Sequence, residues 1–222
     1  MFMDDKLSES NGIVLTFGVT LLAVVLFLPL FVTRGLGALD FWWWISANLI
    51  ILIAIAAFFD SAWRSSIRRD LSGSIHFKIG MGILSALFLY LVFAIGNLFS
   101  RNIFSFAGSG IQDVYAFKMG ASRLRIAVLM IFIIGPGEEL FWRGFLQRGF
   151  QKKIGNYPGF ILATGIYTLV HLGSGNVMLV LAAGVCGLFW GYLYLRYGSI
   201  TLNIVSHTLW DVTVFLWLPF NT

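Results

Sequence analysis

Long apolar runs alternate with short polar segments along most of the chain. Because a helix rises about 1.5 Å per residue, about 20 apolar residues cross the ~30 Å hydrocarbon core of a bilayer. On this criterion the sequence predicts seven spans, at about 12–32, 39–59, 79–99, 124–141, 156–171, 177–195 and 200–218. The pattern therefore predicts an all-α, polytopic integral membrane protein with about seven transmembrane helices.

The segments between the spans predict the connections. We interpret 60–78 as a polar loop, and 100–125, the longest stretch outside the spans, as a partly amphipathic lid along the membrane interface. The Phe-Trp-Trp-Trp run at 41–44 is typical of an aromatic belt at headgroup level. The fifth span, 156–171, is short, so we expect it to be tilted or buried among its neighbours. With no soluble domain and no internal repeat, we predict a single membrane domain over 1–222.

Composition agrees with a membrane protein. The chain is 59% hydrophobic and 11% charged, and its mean hydropathy is +0.87, far from the values of a soluble domain. Since no window combines basic and exposed polar residues as a nucleic-acid groove requires, we expect no nucleic-acid partner. Cys186 is the single cysteine, which excludes an internal disulfide and a cysteine-based metal cluster. We interpret it as a small buried thiol in a run whose Gly184, Gly187 and Gly191 permit close helix packing.

The positions of Lys and Arg predict the orientation. With the N-terminus inside, five of the 15 basic residues fall in outer segments, and the others fall in inner ones. The outer five are Arg34, Arg101, Lys118, Arg123 and Arg125. The segment 1–11 lacks the basic region and cleavage site of a signal peptide. By the positive-inside rule we expect a cytoplasmic N-terminus, in what we take to be a bacterial inner (plasma) membrane.

The stretch 135–143 reads Gly-Pro-Gly-Glu-Glu-Leu-Phe-Trp-Arg and places two adjacent carboxylates at membrane depth. Such groups cost a few kcal/mol each unless they are paired. On a helix Glu139 shares a face with Arg143, four residues on, while Glu138 points about 100° away. The glycines and the proline upstream can break the helix ladder and allow another backbone to approach. We therefore interpret Glu139 as structural and Glu138 as available for chemistry.

Three further ionisable residues lie in the last spans: His171, His207 and Asp211. His207 and Asp211 are four apart, so the carboxylate can hold the imidazole in one tautomer, and Tyr167 has the same spacing to His171. Any one of these histidines alone is more often a packing residue than a catalyst, and a lone Glu–Arg pair is more often structural. Together they suggest a glutamate that activates water, with imidazoles that move protons and stabilise an oxyanion.

Three motifs in order carry a family resemblance. The segment 138–143 resembles the E-E-x-x-x-R motif of the CAAX protease and bacteriocin-processing (CPBP, or Abi) family. The segment 167–171 resembles its F-x-x-x-H motif, with tyrosine for phenylalanine, and 207–211 resembles its H-x-x-x-N motif, with aspartate for asparagine. The resemblance covers roughly 135–218, and we take about 124–218 as the family-like catalytic core, preceded by N-terminal helices at 12–99.

The resemblance implies a glutamate-type intramembrane peptidase without a cofactor. It implies that Glu138 and His171 activate the water and that His207 and Asp211 bind the oxyanion, with Tyr167, Glu139 and Arg143 in support. An ionised Asp211 only accepts hydrogen bonds and would repel an oxyanion. It is therefore either protonated or serves to orient His207, and we favour orientation.

The implied substrate is a peptide or protein with a membrane-associated segment, such as a prenylated CAAX tail, a leader or a C-terminal sorting signal. The sequence does not choose among these and leaves the oligomeric state open. The main alternative is a zinc peptidase that uses Glu138, His171 and His207 as ligands. A second alternative is a non-catalytic membrane scaffold or immunity protein. A proton-coupled transporter ranks below both, because the chain has no inverted repeat of broken helices.

Overall fold

The computed structural model describes residues 2–220, with side chains described from Val14 onward, so the side chains of the predicted polar segment 1–11 lie outside it. The described chain is almost entirely helical, which confirms the all-α prediction. Its α-helices are Phe2–Thr33 (α1), Phe41–Phe59 (α2), Ser61–Leu71 (α3), Ile75–Ile103 (α4), Ala107–Ala116 (α5), Arg123–Leu129 (α6), Gly135–Glu138 (α7), Arg148–Ile154 (α8), Asn156–Val170 (α9), Val177–Tyr197 (α10) and Ile200–Val212 (α11).

Short elements of other kinds join these helices. Three π-helical segments, Met130–Ile134, Glu139–Gln147 and Thr213–Trp217, follow α6, α7 and α11, and a 3₁₀ turn, His171–Ser174, follows α9. Two two-residue strands, Gly35–Leu36 (β1) and Leu39–Asp40 (β2), pair antiparallel between α1 and α2. Asp40 then caps α2, because its side chain accepts hydrogen bonds from the backbone N–H groups of Trp42 and Trp43.

Four helical segments in the described part are long and apolar enough to cross a bilayer. They are Val14–Thr33, Phe41–Phe59, Ile75–Ile103 and Val177–Tyr197. The chain is therefore an all-α membrane protein, but the predicted total of seven spans is not confirmed. The other three predicted spans are shorter or interrupted. The span 124–141 is divided by π-helical turns. The span 156–171 contains α9, which has 15 residues, and 200–218 contains α11, which has 13.

The predicted polar loop 60–78 is wrong, because most of it is helix α3 and the first residues of α4. Asp60 caps α3 by accepting a hydrogen bond from the backbone N–H of Trp63 at 2.8 Å. Trp63 is buried, and its indole N–H donates to the carbonyl oxygen of Leu140 at 3.2 Å. Asp60 thus caps the helix, and the buried Trp63 anchors it against the stretch that carries the glutamates.

The tryptophan cluster at 41–44 also differs from the prediction. Trp42 and Trp44 are buried, and only Trp43 of the three tryptophans is exposed. The indole N–H of Trp42 donates to the carbonyl oxygen of Phe117 at 2.9 Å. Phe41 is buried as well, so three of the four predicted belt residues belong to the protein core, and the Trp42 hydrogen bond ties α2 to the segment that follows α5.

Glycines set the closest helix contacts, as the sequence predicted. A Cβ atom on Gly191 would lie 2.6 Å from the ring of Phe160, so α10 packs directly on α9. A Cβ atom on Gly135 would lie 2.3 Å from Oγ1 of Thr208, so α7 and α11 meet nearly backbone to backbone. Cys186 on α10 is a buried free thiol, which confirms that prediction.

A polar contact outside the spans fixes the start of α11. Asp70 at the end of α3 accepts hydrogen bonds from the backbone N–H and hydroxyl of Thr201 at 2.7 and 2.6 Å, and pairs with Nζ of Lys78 at 2.9 Å. Burial by itself would raise the pKa of Asp70. The hydrogen bonds from Thr201, with further ones from Lys78 and Ser199, outweigh burial and hold this pKa below its usual range.

Candidate active site

Two π-helical segments flank the four residues of α7 and shape the stretch that bears the glutamates. Pro136 has no N–H, so it cannot form the α-helical bond to the carbonyl four residues earlier. Just before it, the N–H of Gly135 reaches back five residues to the carbonyl oxygen of Met130. π-Helical turns inside helices are frequent at functional sites. Here they place Glu138 and Glu139 at the junction of α7 and the second π-helical segment, where α11 approaches most closely.

Glu139 is completely buried and binds three side chains. Its Oε1 accepts a hydrogen bond from Nη1 of Arg143 at 2.9 Å and lies 2.7 Å from Nδ1 of His207. Its Oε2 accepts a hydrogen bond from Nδ2 of Asn203 at 2.9 Å. The ion pair with Arg143 that the spacing predicted is present, and the three side chains that contact this carboxylate are themselves buried.

Glu138 has different surroundings from its neighbour. Its Oε2 accepts a hydrogen bond from the Tyr167 hydroxyl at 3.1 Å and lies 4.0 Å from Nε2 of His207. The carboxylate lines a cavity, whereas Glu139 and Arg143 do not. One of the two adjacent glutamates is therefore accessible from the cavity, and the other is held behind it.

His171 lies where α9 ends and the 3₁₀ turn begins. Its Nδ1 is 2.7 Å from the backbone carbonyl oxygen of Tyr167. Because a carbonyl oxygen only accepts, Nδ1 carries the hydrogen, and Nε2 of the neutral ring keeps its lone pair. The ring packs against Phe31 of α1, with 4.4 Å between ring centroids. The imidazole thus has a fixed tautomer and a side that lines the cavity.

His207 and Asp211 lie one turn apart on α11, but Asp211 is not the hydrogen-bond partner that orients His207. Oδ2 of Asp211 is 3.5 Å from Nε2 of His207, whereas Glu139 is 2.7 Å from Nδ1. The prediction that Asp211 holds the imidazole in one tautomer therefore needs correction. Glu139, which is distant from His207 in sequence, lies closer to the imidazole than Asp211 does. The i, i+4 spacing within α11 could not reveal this contact.

The cavity has a volume of about 380 Å³ and is bounded mainly by apolar side chains from α2, α4, α5, α10 and α11. Its polar lining includes all four residues predicted to be catalytic: Glu138, His171, His207 and Asp211. Tyr167, predicted as support, also lines it. The structure thus brings together carboxylates and imidazoles from α7, the 3₁₀ turn and α11 around one space of the size of a small-ligand pocket.

Sequence reasoning missed two residues next to His207. Asn203 is fully buried and precedes His207 by four residues, so the i, i+4 spacing on α11 was a usable signal. The ring of Trp190 stacks on His207 with 3.6 Å between centroids and 18° between planes. Trp190 lies in an apolar helix that carries no other sign of a site, and only the packing of α10 on α11 reveals it.

The zinc alternative receives no support from the geometry. Among the described residues, no group of three His, Cys, Asp or Glu side chains is spaced to hold a metal ion. Glu138 and Glu139 are already hydrogen-bonded to Tyr167 and to Arg143, respectively.

The chain is thus an all-α membrane protein in which buried carboxylates and imidazoles line one cavity. Residues 119–213 match the model of a protein family described as type II CAAX prenyl endopeptidase Rce1-like. This match confirms the resemblance to the CPBP family, and it includes all three motifs. The family is one of CAAX-type intramembrane proteases. No curated protein and no solved structure matches the chain.

Proposed function

We propose that this protein is an intramembrane endopeptidase that hydrolyses a peptide bond through a glutamate-activated water. The observation that carries the proposal is the shared cavity of Glu138, His171, His207 and Asp211 within the segment that matches the protease family. Its substrate would be a membrane-associated tail, leader or sorting-signal peptide. This peptide would reach the cavity from the lipid bilayer. The bilayer is the expected partner of the protein because four of its helices are long and apolar enough to cross one.

Glu138 is the proposed general base. It accepts a hydrogen bond from Tyr167 and has no cationic partner as close as the one Glu139 has in Arg143. In the proposed reaction Glu138 takes a proton from the water as the water attacks the scissile carbonyl carbon. Nε2 of His171 can accept a hydrogen bond from the same water and orient it, because the Tyr167 carbonyl holds the hydrogen on Nδ1.

His207 is the proposed oxyanion-binding group. Glu139 accepts the hydrogen at Nδ1, so a protonated Nε2 can donate a hydrogen bond to the developing oxyanion. Asp211 lies 3.5 Å from the same nitrogen, and its side-chain oxygen would accept the Nε2 hydrogen and keep it directed toward the cavity. Glu138 then returns its proton to the leaving amine, so that water is divided between the two products and no oxidant or cofactor is consumed.

The test compares cells that express the wild-type protein with cells that express Glu138→Gln. Terminal-peptide profiling of membrane proteins should yield new N- and C-termini only with the wild type. A peptide that spans the cleaved bond should then be cut by purified wild type in detergent and not by the variant. Identical termini in both cells would instead favour the non-catalytic scaffold or immunity role.

A further inference from the structure

Trp190 of α10 fixes the plane of the His207 ring. The two rings stack at 3.6 Å between centroids, with 18° between their planes. Trp190 is 1% exposed, and its indole N–H donates to Oγ of Ser206, the residue that precedes His207, at 3.1 Å. The indole is therefore anchored to the helix that it supports. An imidazole that rotates about its side-chain bonds would lose this stacking contact.

Asn203 fixes the carboxylate that holds His207. The two hydrogens on its Nδ2 go to Oε2 of Glu139 at 2.9 Å and to the backbone carbonyl oxygen of Trp190 at 2.8 Å. Asn203 is fully buried, so neither bond competes with water. The amide thus links the backbone of α10 to Glu139, whose other oxygen faces Nδ1 of His207.

The contacts form one closed network. Trp190 limits the plane of the imidazole, Glu139 limits its rotation within that plane, and Asn203 keeps Glu139 in place. Catalytic side chains work best when their rotamers are locked by packing and by outer hydrogen bonds, because the reacting geometry is then set before the substrate arrives. Loss of such outer partners typically costs about 10- to 100-fold in activity.

We propose that Asn203 and Trp190 are positioning residues that hold the His207 ring with its Nδ1–H toward Glu139 and its Nε2 toward the cavity. Neither residue belongs to the three motifs. The catalytic consequence rests on the proposed function, whereas the positioning itself is a property of the imidazole that can be observed directly.

The kinetic test uses Asn203→Leu, which removes the amide donor at similar volume, and Trp190→Leu, which removes the aromatic face. Each should lower kcat by about 10- to 100-fold. For Asn203→Leu, KM should change by less than about threefold, because Asn203 does not line the cavity. Trp190→Phe keeps an aromatic face and should restore most of kcat. Asn102→Leu and Trp217→Leu, at exposed positions, serve as matched controls and should behave as wild type.

The spectroscopic test does not depend on activity. The chain has three histidines, so ¹⁵N-histidine labelling gives a small set of imidazole signals, and His207→Gln assigns the one of interest. Wild type and Trp190→Phe should show one set of His207 ring signals, with the Nδ1 hydrogen bonded to Glu139. Asn203→Leu and Trp190→Leu should show shifted or doubled His207 signals, while His171, held by the Tyr167 carbonyl, stays unchanged and reports an intact fold.

Unchanged His207 signals in both leucine variants would overturn the proposal. If Asn203→Leu does not fold, Asn203→Ser, which leaves one donor, takes its place with a smaller expected loss of about tenfold or less. A wild-type protein that cleaves nothing would contradict the proposed function alone, because the His207 ring signals would still decide the role of Asn203 and Trp190.

Discussion

Glu138 and Glu139 are neighbours in sequence but differ in what surrounds them. The structure gives Glu139 three buried partners and turns Glu138 toward the cavity. Removal of one member of a buried ion pair leaves the other charge unpaired, which costs about 3–5 kcal/mol. Among the described contacts, the hydrogen-bond donor to Glu138 is the Tyr167 hydroxyl, so we expect this carboxylate to contribute much less to stability.

We therefore expect opposite effects from two substitutions. Glu138→Gln should abolish cleavage and leave the melting temperature in detergent close to that of wild type. Glu139→Gln should lower the stability by about 3 kcal/mol, because Arg143 and His207 lose their charged partner. Melting curves and cleavage rates of both variants check this. Near-normal turnover by Glu138→Gln would show that the base is another group.

Asp211 differs from the asparagine of the family motif and lies 3.5 Å from Nε2 of His207. Since Glu139 orients the imidazole at Nδ1, Asp211→Asn should keep much of the activity, and its amide could also donate to the oxyanion. Asp211→Leu should cost about 10- to 100-fold. Cleavage rates of the two variants are the measurement. An inactive but folded Asp211→Asn would mean that the carboxylate itself takes part in the chemistry.

At the scale of elements, Asp70 joins the end of α3 to the first turn of α11, the helix that carries His207. The pKa of Asp70 is lowered in the folded protein because the hydrogen bonds from Thr201 outweigh the effect of burial. A lowered folded pKa stabilises the protein above the unfolded pKa of about 3.9, and this contribution is lost as pH falls through the folded value.

Asp70→Asn should therefore be less stable than wild type at pH 7, by about 1 kcal/mol since solvent screens part of the interaction. The difference should shrink as the pH is lowered from about 5 to below 3. Thermal melts across this range are the measurement. Asp113→Asn, at an exposed carboxylate of α5, is the control. A stability difference that stays constant with pH would contradict the role of the Asp70 charge.

At the scale of the whole molecule, the basic residues predict the orientation. With Cys186 replaced by alanine, single cysteines at Ser65 and Lys152 should react with an impermeant reagent from the cytoplasmic side. One at Asn102, at the far end of α4, should react from outside. All three positions are exposed. The opposite labelling pattern would reverse the orientation.

A second property of the whole molecule is whether cleavage requires a bound metal ion. On the glutamate mechanism, dialysis of active protein against a strong chelator should leave the cleavage rate unchanged. Loss of activity with recovery on addition of zinc, together with stoichiometric zinc in the purified protein, would replace that mechanism by the one in which Glu138, His171 and His207 bind the metal.

The sequence by itself determined the all-helical membrane class and the Glu139–Arg143 pair, because apolar run length and i, i+4 spacing are local properties. Its three motifs also picked out the ionisable residues that line the cavity. It did not predict helix α3, whose buried Trp63 is anchored by a long-range contact with Leu140. Nor could it give the number of spans, because the broken stretch 124–141 and the short helices α9 and α11 depend on their neighbours.

Only the tertiary structure decided how His207 is held. The spacing pointed to Asp211, but the partners with the shortest contacts are Glu139, 68 residues away in sequence, and the stacked ring of Trp190 on another helix. Gly135 allows this arrangement because it lets α7 approach α11 without a side chain between them. Contacts between distant segments depend on such packing, and local spacing carries no information about which of several nearby carboxylates forms the hydrogen bond.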